Sequence, residues 1–158
     1  MRIVGIDPGI ARTGWGTVDV IAGKLQVRSF GCIETSKELQ TEKRLQEVYE
    51  KIVYLLQTEK PDAFAIEELF FNTNSKTAMV VGQARGVILL AAAQYQLPIA
   101  IYTPLQVKIA VTGYGRAEKS QVGQMVKTLL HLDSIPKPDD TADALAIAVT
   151  HAFSYRMR

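Results

Sequence analysis

The chain contains 158 residues, of which 47% are apolar and 22% are charged. This length and balance predict one globular domain over residues 1–158, and a domain of this size buries roughly 70% of its unfolded surface. Cys32 is the only cysteine, which excludes an intrachain disulfide and favours a reducing compartment. We find no signal-peptide pattern and no apolar run that could span a bilayer, so we expect a cytoplasmic protein without a membrane segment.

Charge is unevenly distributed along the chain, although the net charge is only +2. Residues 1–68 carry nine basic and eleven acidic side chains, whereas residues 69–132 carry six basic side chains against one acid, Glu118. The basic side chains of that second segment are Lys76, Arg85, Lys108, Arg116, Lys119 and Lys127. The segment is therefore a candidate surface for a polyanion, and an ordinary solvated face is the alternative.

The first part of the chain predicts three strands and a helix. Residues 2–6, 13–20 and 25–33 are rich in strand-forming side chains, and a short turn around Gly23 joins the second and third strands. Residues 38–58 then place apolar side chains at helical spacing, with charged side chains on the opposite face. An antiparallel meander followed by an amphipathic helix is the resulting prediction.

The second part predicts two buried strands and three helices. Residues 63–66 and 99–102 are short apolar runs that suit strands. A helix over residues 75–96 is apolar nearly all round, so we expect it to be covered on more than one side, by the sheet and another helix or by a second subunit. Further helices are predicted over residues 120–130 and from about residue 141.

This element order predicts an α/β fold with a five-stranded mixed sheet. The three N-terminal strands form a meander, and the long connections that follow can return the fourth and fifth strands parallel to the first. Helices are expected on both faces of the sheet.

Carboxylates occur at three places where a strand ends or a helix begins. Asp7 follows the first strand, and Glu67 and Glu68 follow the fourth; the remaining acids, Asp139, Asp140 and Asp143, open the last helix. Each has an ordinary explanation, because Asp7 can be a turn residue, a glutamate can be an exposed strand end, and an aspartate can cap a helix. If the first and fourth strands are parallel neighbours, however, Asp7 and Glu67 reach the same edge of the sheet, where such sheets bind ligands.

A converging set of carboxylates predicts a bound cation, because unpaired like charges would destabilise the fold. Carboxylate oxygens suit hard divalent ions such as Mg²⁺ or Mn²⁺. Two such ions can clamp the attacking and the leaving oxygen of a phosphodiester. Beside a basic segment that can hold backbone phosphates, the acids favour a metal-dependent nuclease.

Five motifs occur in a fixed order: GIDPGIARTGWG, AIEELFF, GQARGV, GRAEKSQV and DDTADALAIA. Together they resemble, essentially from end to end, the RuvC family of crossover-junction endodeoxyribonucleases, which resolve Holliday junctions. The resemblance implies a ribonuclease-H-like fold, a homodimer and two Mg²⁺ ions per active site, with Mn²⁺ as a substitute. It also implies paired hydrolytic cuts that leave 5′-phosphates.

The resemblance implies roles for individual residues. Asp7, Glu67, Asp140 and Asp143 match the metal ligands, which selects Glu67 over Glu68 and leaves Asp139 as the helix cap. These four are also expected to be catalytic, together with Lys119, which matches a lysine near the scissile phosphate.

DNA contacts are expected from the basic segment and from one aromatic residue. Lys108 matches a basic residue of the family's DNA-binding face, and Lys76, Arg116 and Lys119 are further expected contacts. Phe70 matches an aromatic side chain that reaches into the junction centre, where stacking on unpaired bases contributes roughly 1–3 kcal/mol per base. Phe71 beside it can share that role.

The expected partners are four-way junction DNA, a second copy of the chain through the helix over residues 75–96, and a RuvAB-type branch-migration complex. Two other functions are open at this point. The first motif also resembles the first phosphate loop of the sugar-kinase and actin group, and a junction-binding module without catalysis is the second alternative. The sugar-kinase and actin group needs a second lobe, for which this chain is too short.

Overall fold

The structure is a computed structural model, and it describes residues 1–69 and 75–156. Within these residues the elements follow the order listed here: β1 (Arg2–Asp7), β2 (Arg12–Ile21), β3 (Lys24–Glu34), α1 (Thr41–Glu59), β4 (Ala63–Glu67), α2 (Ser75–Gln94), β5 (Ile99–Tyr102), α3 (Pro104–Thr112), α4 (Lys119–Leu129) and α5 (Asp139–Arg156).

The five strands form one mixed sheet in the order β3-β2-β1-β4-β5. The pairs β1–β2 and β2–β3 are antiparallel, whereas β1–β4 and β4–β5 are parallel. The α/β architecture predicted from the sequence, with a meander followed by parallel returns, is therefore confirmed. The helices cover both faces, with α1 and α2 on one and α3, α4 and α5 on the other.

Alternation along β1 divides the core into two layers. Ile3 packs with α5 in one layer, and Val4 and Ile6 pack with α1 and α2 in the other. Because successive side chains of a strand point to opposite faces, Asp7 belongs to the face of Ile3 and therefore points towards α5. The side on which the strand presents its carboxylate is thus fixed by the burial of its apolar residues.

Glycines let α5 lie directly on β1 and β2. A Cβ on Gly5 would overlap the carbonyl oxygen of Ala144 and lie 2.6 Å from the backbone nitrogen of Ala148. A Cβ on Gly16 would lie 2.5 Å from Cδ2 of Leu145. Close backbone approach of this kind requires residues without a side chain, so these positions set the distance between helix and sheet.

The short helix α3 was missed by the sequence-based interpretation. Thr103 Oγ1 accepts a hydrogen bond from the Gln106 N–H at 3.1 Å, and Gln106 Oε1 accepts one from the Thr103 N–H at 2.8 Å. Pro104 occupies the first helical position and Gly113 ends the helix with φ of 76°. These are ordinary start and stop signals, so α3 could have been recognised from the sequence.

Several predicted helix bounds were wrong by a few residues. Helix α1 begins at Thr41 rather than at residue 38, and α2 ends at Gln94 rather than at residue 96. Helix α5 begins at Asp139, two residues earlier than predicted. The spacing of apolar residues predicts the presence of a helix more reliably than it predicts the first and last residues of that helix.

Helix α2 is buried along only one side. Ile88, Ala91 and Ala92 are buried in the layer shared with α1 and Ala84 is also buried, but Met79 is 68% exposed and Leu90 is 52% exposed. Within a single chain this helix is therefore covered on one side, and its expected cover by a second subunit stays a prediction. Residues 76–94 are long and apolar enough to cross a membrane by length and composition alone, a test that core helices also pass.

We predict that Gly5→Ala destabilises the fold severely, because the new methyl group meets backbone atoms of α5 that cannot move independently. The midpoint of urea unfolding should fall by the equivalent of about 3 kcal/mol or more. Gly123→Ala is the matched control, since its Cβ would lie 3.2 Å from Cγ2 of Ile135, a side-chain atom that has to shift by only a few tenths of an ångström. Equal midpoints for the two variants would contradict this account of the β1–α5 contact.

Candidate active site

The carboxyl ends of β1 and β4 bring Asp7 and Glu67 together. Ile6 pairs with Ile66 in the parallel register, so Asp7 and Glu67 occupy equivalent places one residue further along their strands. Both lie on the face of the sheet that α5 covers, because Ile3 and Ala65 of the same strands pack on that side. The predicted meeting of these carboxylates at one sheet edge is confirmed.

The first turn of α5 brings Asp140 and Asp143 to the same edge. Gly14 of β2 pairs with Asp7 across the sheet, and a Cβ on Gly14 would overlap the carbonyl oxygen of Asp140. The helix therefore begins in contact with the strand beside Asp7. Asp140 and Asp143 are three residues apart and share one face of the helix.

Burial and like charge act together on Asp7. Desolvation is the largest influence, and the neighbouring charges of Asp143, Glu67 and Asp140 add to it, which raises the pKa of Asp7 from 3.8 to about 8. Burial likewise raises the pKa values of Glu67 and Asp143, and the charge of Asp143 adds to the effect on Glu67. The carboxylates are thus close enough to repel each other inside a poorly hydrated pocket.

Lys119 is a cation within this acidic site. Its Nζ lies 2.8 Å from Oδ2 of Asp143, and this hydrogen bond raises the pKa of the lysine. Lys119 is the first residue of α4, so the contact joins the start of α4 to the first turn of α5. The lysine offsets part of the negative charge and prevents Asp143 from turning freely.

The donor set fits a hard divalent ion in its chemistry. Asp7, Glu67, Asp140 and Asp143 offer only carboxylate oxygens, the ligands that Mg²⁺ and Mn²⁺ prefer. Over residues 1–69 and 75–156, however, no three acidic, histidine or cysteine side chains form a group that could hold one ion. The carboxylates are neighbours, and side-chain rotation against their mutual repulsion is needed before they can share a cation.

A cleft beside the carboxylates is lined by side chains from four elements. Glu67 and Asp143 line it together with Lys119 and with Lys108 of α3. The remaining lining residues are Pro104, Val107, Val122 and Ala146. Two of the expected DNA contacts, Lys108 and Lys119, therefore line the same cleft as two of the expected metal ligands, and their roles stay predictions.

Glu67 and Glu68 have clearly different environments. Glu67 is half-buried in the site, whereas Glu68 is exposed and its N–H donates to the carbonyl oxygen of Tyr102 at 2.8 Å. Glu67, and not Glu68, lines the cleft with Asp143. Its assignment as the metal ligand stays a prediction.

Arg85 of α2 is a positioning contact that sequence reasoning missed. Its Nε donates to the carbonyl oxygen of Glu67 at 3.3 Å, which ties α2 to the end of β4. The GQARGV motif contained the signal, because an arginine within an otherwise apolar helix needs a polar partner.

Asp139 does not act as the expected helix cap. It is the first residue of α5, and its Oδ1 accepts a hydrogen bond from Lys137 Nζ at 2.9 Å. This bond lowers the pKa of Asp139. Lys137, two residues upstream, is therefore the hydrogen-bond partner of the carboxylate that was expected to cap the helix.

The other expected DNA contacts lie outside this pocket. Lys76 is the second residue of α2 and is exposed, and Arg116 is exposed in the connection between α3 and α4. Phe70 and Phe71 lie outside the described residues, so their predicted role stays a prediction.

Comparisons with known proteins give consistent matches over almost the whole chain. The family model described as crossover junction endodeoxyribonuclease RuvC matches residues 3–151. The crossover junction endodeoxyribonuclease RuvC of Alkaliphilus metalliredigens is 58% identical over 154 residues, which covers 98% of this chain and 94% of that protein.

Two solved structures from Thermus thermophilus are similar to this fold. The structure of RuvC matches with 39% identity and a TM-score of 0.91, covering 99% of this chain and 96% of that one. The structure of RuvC in complex with a Holliday junction substrate matches with 37% identity, the same TM-score of 0.91 and the same coverage of 99% and 96%.

We predict that Asp7→Asn stabilises the protein in the absence of divalent ions. The pKa of Asp7 is higher in the folded chain, at about 8, than its ordinary value of 3.8. Between pH 3.8 and about 8, Asp7 is therefore protonated in the folded chain but ionised in the unfolded chain. The free energy of unfolding consequently falls as the pH rises through this range. At pH 8 in EDTA the variant should gain roughly 2 kcal/mol, and less near pH 5, because it lacks a desolvated charge.

Thermal unfolding at several pH values measures this effect. Asp133→Asn is the control, because Asp133 is exposed and far along the chain from the strand ends. Mg²⁺ should raise the unfolding temperature of the unaltered protein more than that of Asp7→Asn. A variant less stable than the parent at pH 8 in EDTA would show that Asp7 is not under electrostatic strain.

Proposed function

Because the chain belongs to the RuvC family of crossover junction endodeoxyribonucleases, it is a nuclease that resolves Holliday junctions, and we propose that Asp7, Glu67, Asp140 and Asp143 hold the metal ions that it uses. Its fold is ribonuclease-H-like, as the match to Thermus thermophilus RuvC shows. The family consists of metal-dependent nucleases. We further propose that the metal is Mg²⁺, that Mn²⁺ can replace it, and that each site holds two ions.

The observation that supports this proposal is the desolvated group of carboxylates at the ends of β1, β4 and the beginning of α5. Such a group is destabilising unless a cation neutralises it, as the raised pKa of Asp7 indicates. Divalent ions bound there would supply an activated water and charge neutralisation at the leaving 3′ oxygen, which gives a 5′-phosphate product.

Lys119 is proposed to act on the scissile phosphate. Its ammonium group already lies in the cleft beside Asp143. A short rotation of its side chain brings the positive charge from the carboxylate to a phosphate oxygen in the same cleft. The lysine would then neutralise the charge that develops on the phosphoryl group in the transition state.

The DNA path is proposed to follow the basic residues around this cleft. Lys108 lines the cleft together with Glu67, and Arg116 lies on the exposed connection that leads to Lys119. Lys76 is an exposed residue in the first turn of α2. These cations can hold backbone phosphates on either side of the cut, and Phe70 is proposed to stack on bases at the junction centre.

A homodimer through α2 is the proposed assembly. Met79, Gly86 and Leu90 recur at helical spacing on the exposed side of this helix, which places a largely apolar stripe in solvent within one chain. A two-fold dimer would bury both copies of the stripe and supply two active sites for the two strands that must be cut. A RuvAB-type branch-migration complex and a cytoplasmic location complete the proposal.

We predict that each of Asp7→Asn, Glu67→Gln, Asp140→Asn and Asp143→Asn slows cleavage of a synthetic four-way junction at least about 100-fold. Each change removes a negative ligand while retaining the shape of the side chain. The measurement is single-turnover cleavage with Mg²⁺, followed by religation of the nicks without a kinase, which detects 5′-phosphates.

Glu68→Gln is the matched control for Glu67→Gln, because it changes the adjacent but exposed glutamate in the same way. It should leave the cleavage rate essentially unchanged. If Glu67→Gln cut the junction normally and Glu68→Gln did not, the proposed ligand set would be wrong.

We predict that Leu90→Arg weakens the dimer at least about 30-fold in dissociation constant, because it places a charge within the buried stripe. Sedimentation velocity over a range of concentrations measures this constant. Tyr54→Arg on α1 is the control, since Tyr54 is also a large, mainly apolar side chain and is 70% exposed. Ala84 is unsuitable for this test because it is fully buried within its own chain. A Leu90→Arg protein that remained dimeric would exclude α2 as the interface.

A further inference from the structure

Tyr114 is a large exposed aromatic residue on the connection between α3 and α4. The connection runs from Gly113 to Glu118, and the Tyr114 side chain is 57% exposed. Its neighbour Arg116 is also exposed. An aromatic ring in solvent, beside a cation and between two glycines, has no role in the core of this fold.

The backbone of Tyr114 is held firmly although its side chain is exposed. Its N–H donates to Oγ1 of Thr112 at 3.1 Å, and its carbonyl oxygen accepts from the N–H of Ala117 at 3.1 Å. The N–H of Gly113 donates to the carbonyl oxygen of Ile109 at 2.8 Å, which fixes the end of α3. A ring presented from a fixed backbone loses little conformational entropy when it binds a ligand.

Two aliphatic side chains of α3 extend this apolar surface. A Cβ on Gly115 would lie 2.7 Å from Cδ1 of Leu105 and 3.5 Å from Cγ1 of Ile109, so both side chains rest on the glycine that follows Tyr114. Leu105 and Ile109 are themselves about half exposed, one helical turn apart. We call Leu105, Ile109 and Tyr114 the α3 crest.

The α3 crest and the acidic cleft share helix α3. Lys108, between Leu105 and Ile109 in the sequence, lines the cleft together with Glu67 and Lys119. Only four residues lie between Tyr114 and Lys119, so their Cα atoms are at most about 17 Å apart even when the chain is fully extended. A strand of DNA whose phosphate lies at Lys119 therefore passes within reach of the crest.

Charge distinguishes DNA from other possible occupants of this surface. The residues that flank the crest carry the cations of Lys108, Arg116 and Lys119 against the single acid Glu118. Phosphates complement this charge, and unpaired bases or exposed sugar faces complement the aromatic and aliphatic side chains. A branched DNA substrate presents both features at the same place.

We propose that the α3 crest is a base-contacting surface, on which Tyr114 stacks against an unpaired or frayed base of the junction strand next to the cut. Leu105 and Ile109, which rest on the neighbouring Gly115, contact the adjoining sugar or base. This inference rests on the proposed function of the neighbouring cleft. It assigns the crest to recognition of branch structure, in addition to the phosphate contacts made by the lysines.

The test compares binding of a fluorescein-labelled four-way junction and of a duplex of the same length by anisotropy in EDTA, over a range of salt concentrations. Tyr114→Ala should weaken junction binding about tenfold, within the range expected for one stacked base, and should change duplex binding little. Because no phosphate contact is removed, the slope of log K against log salt should stay the same. Tyr114→Phe should retain the affinity of the unaltered protein.

Two matched variants separate the proposed contact from other effects. Tyr54→Ala removes an exposed tyrosine on α1, on the other face of the sheet, and should leave junction binding unchanged. Lys108→Ala removes a phosphate contact, so it should reduce the salt slope by about 1 for junction and duplex alike.

The proposal is overturned if Tyr114→Ala binds the junction with unchanged affinity, or if it loses junction and duplex binding equally. Failure of the underlying function is recognised separately, because the unaltered protein would then show no Mg²⁺-dependent cutting of the junction. Thermal unfolding of each variant confirms that an exposed substitution has left the fold intact.

Discussion

The close contact between α5 and the strands β1 and β2 is the constraint on which the site depends. Gly5 and Gly14 leave no room for a Cβ, since such an atom would overlap carbonyl oxygens of Ala144 and Asp140. The helix backbone therefore lies against the sheet itself, not on a layer of side chains. Only in this position does the first turn of α5 reach Asp7 at the end of β1.

Catalytic geometry and stability oppose each other at this edge of the sheet. The apolar layers around Ile3, Val4 and Ile6 hold β1 rigidly, and fully burying such a side chain stabilises the fold by about 1.5–3 kcal/mol. The same surroundings exclude water from Asp7 and raise its pKa, so the fold is less stable than it would be with a neutral residue there. Lys119 relieves part of this repulsion through Asp143, and a divalent ion would relieve more.

The sequence predicts the framework of the site better than its contacts. Two buried strands that run parallel are sufficient to place Asp7 at the same edge of the sheet as Glu67 and Glu68, but the apolar run of β4 does not show which glutamate faces α5. The ion pair of Lys119 with Asp143 and the hydrogen bond from Arg85 to Glu67 join elements that are distant in sequence. Such contacts depend on how helices pack, which periodicity does not specify. Helix α3 is a different case, since its capping residues were visible in the sequence and only its short length concealed it.

Helix α2 connects the proposed dimer contact to the active site through two adjacent residues. Arg85 donates to the carbonyl oxygen of Glu67, whereas Gly86 lies on the exposed stripe with Leu90. A Cβ on Gly86 would meet no atom of its own chain within 4 Å, so the backbone there is accessible to a partner. In the proposed dimer, a partner that fixed α2 on one side would also hold Arg85, and with it the end of β4, on the other. Assembly and the position of a proposed metal ligand would then depend on the same turn of helix.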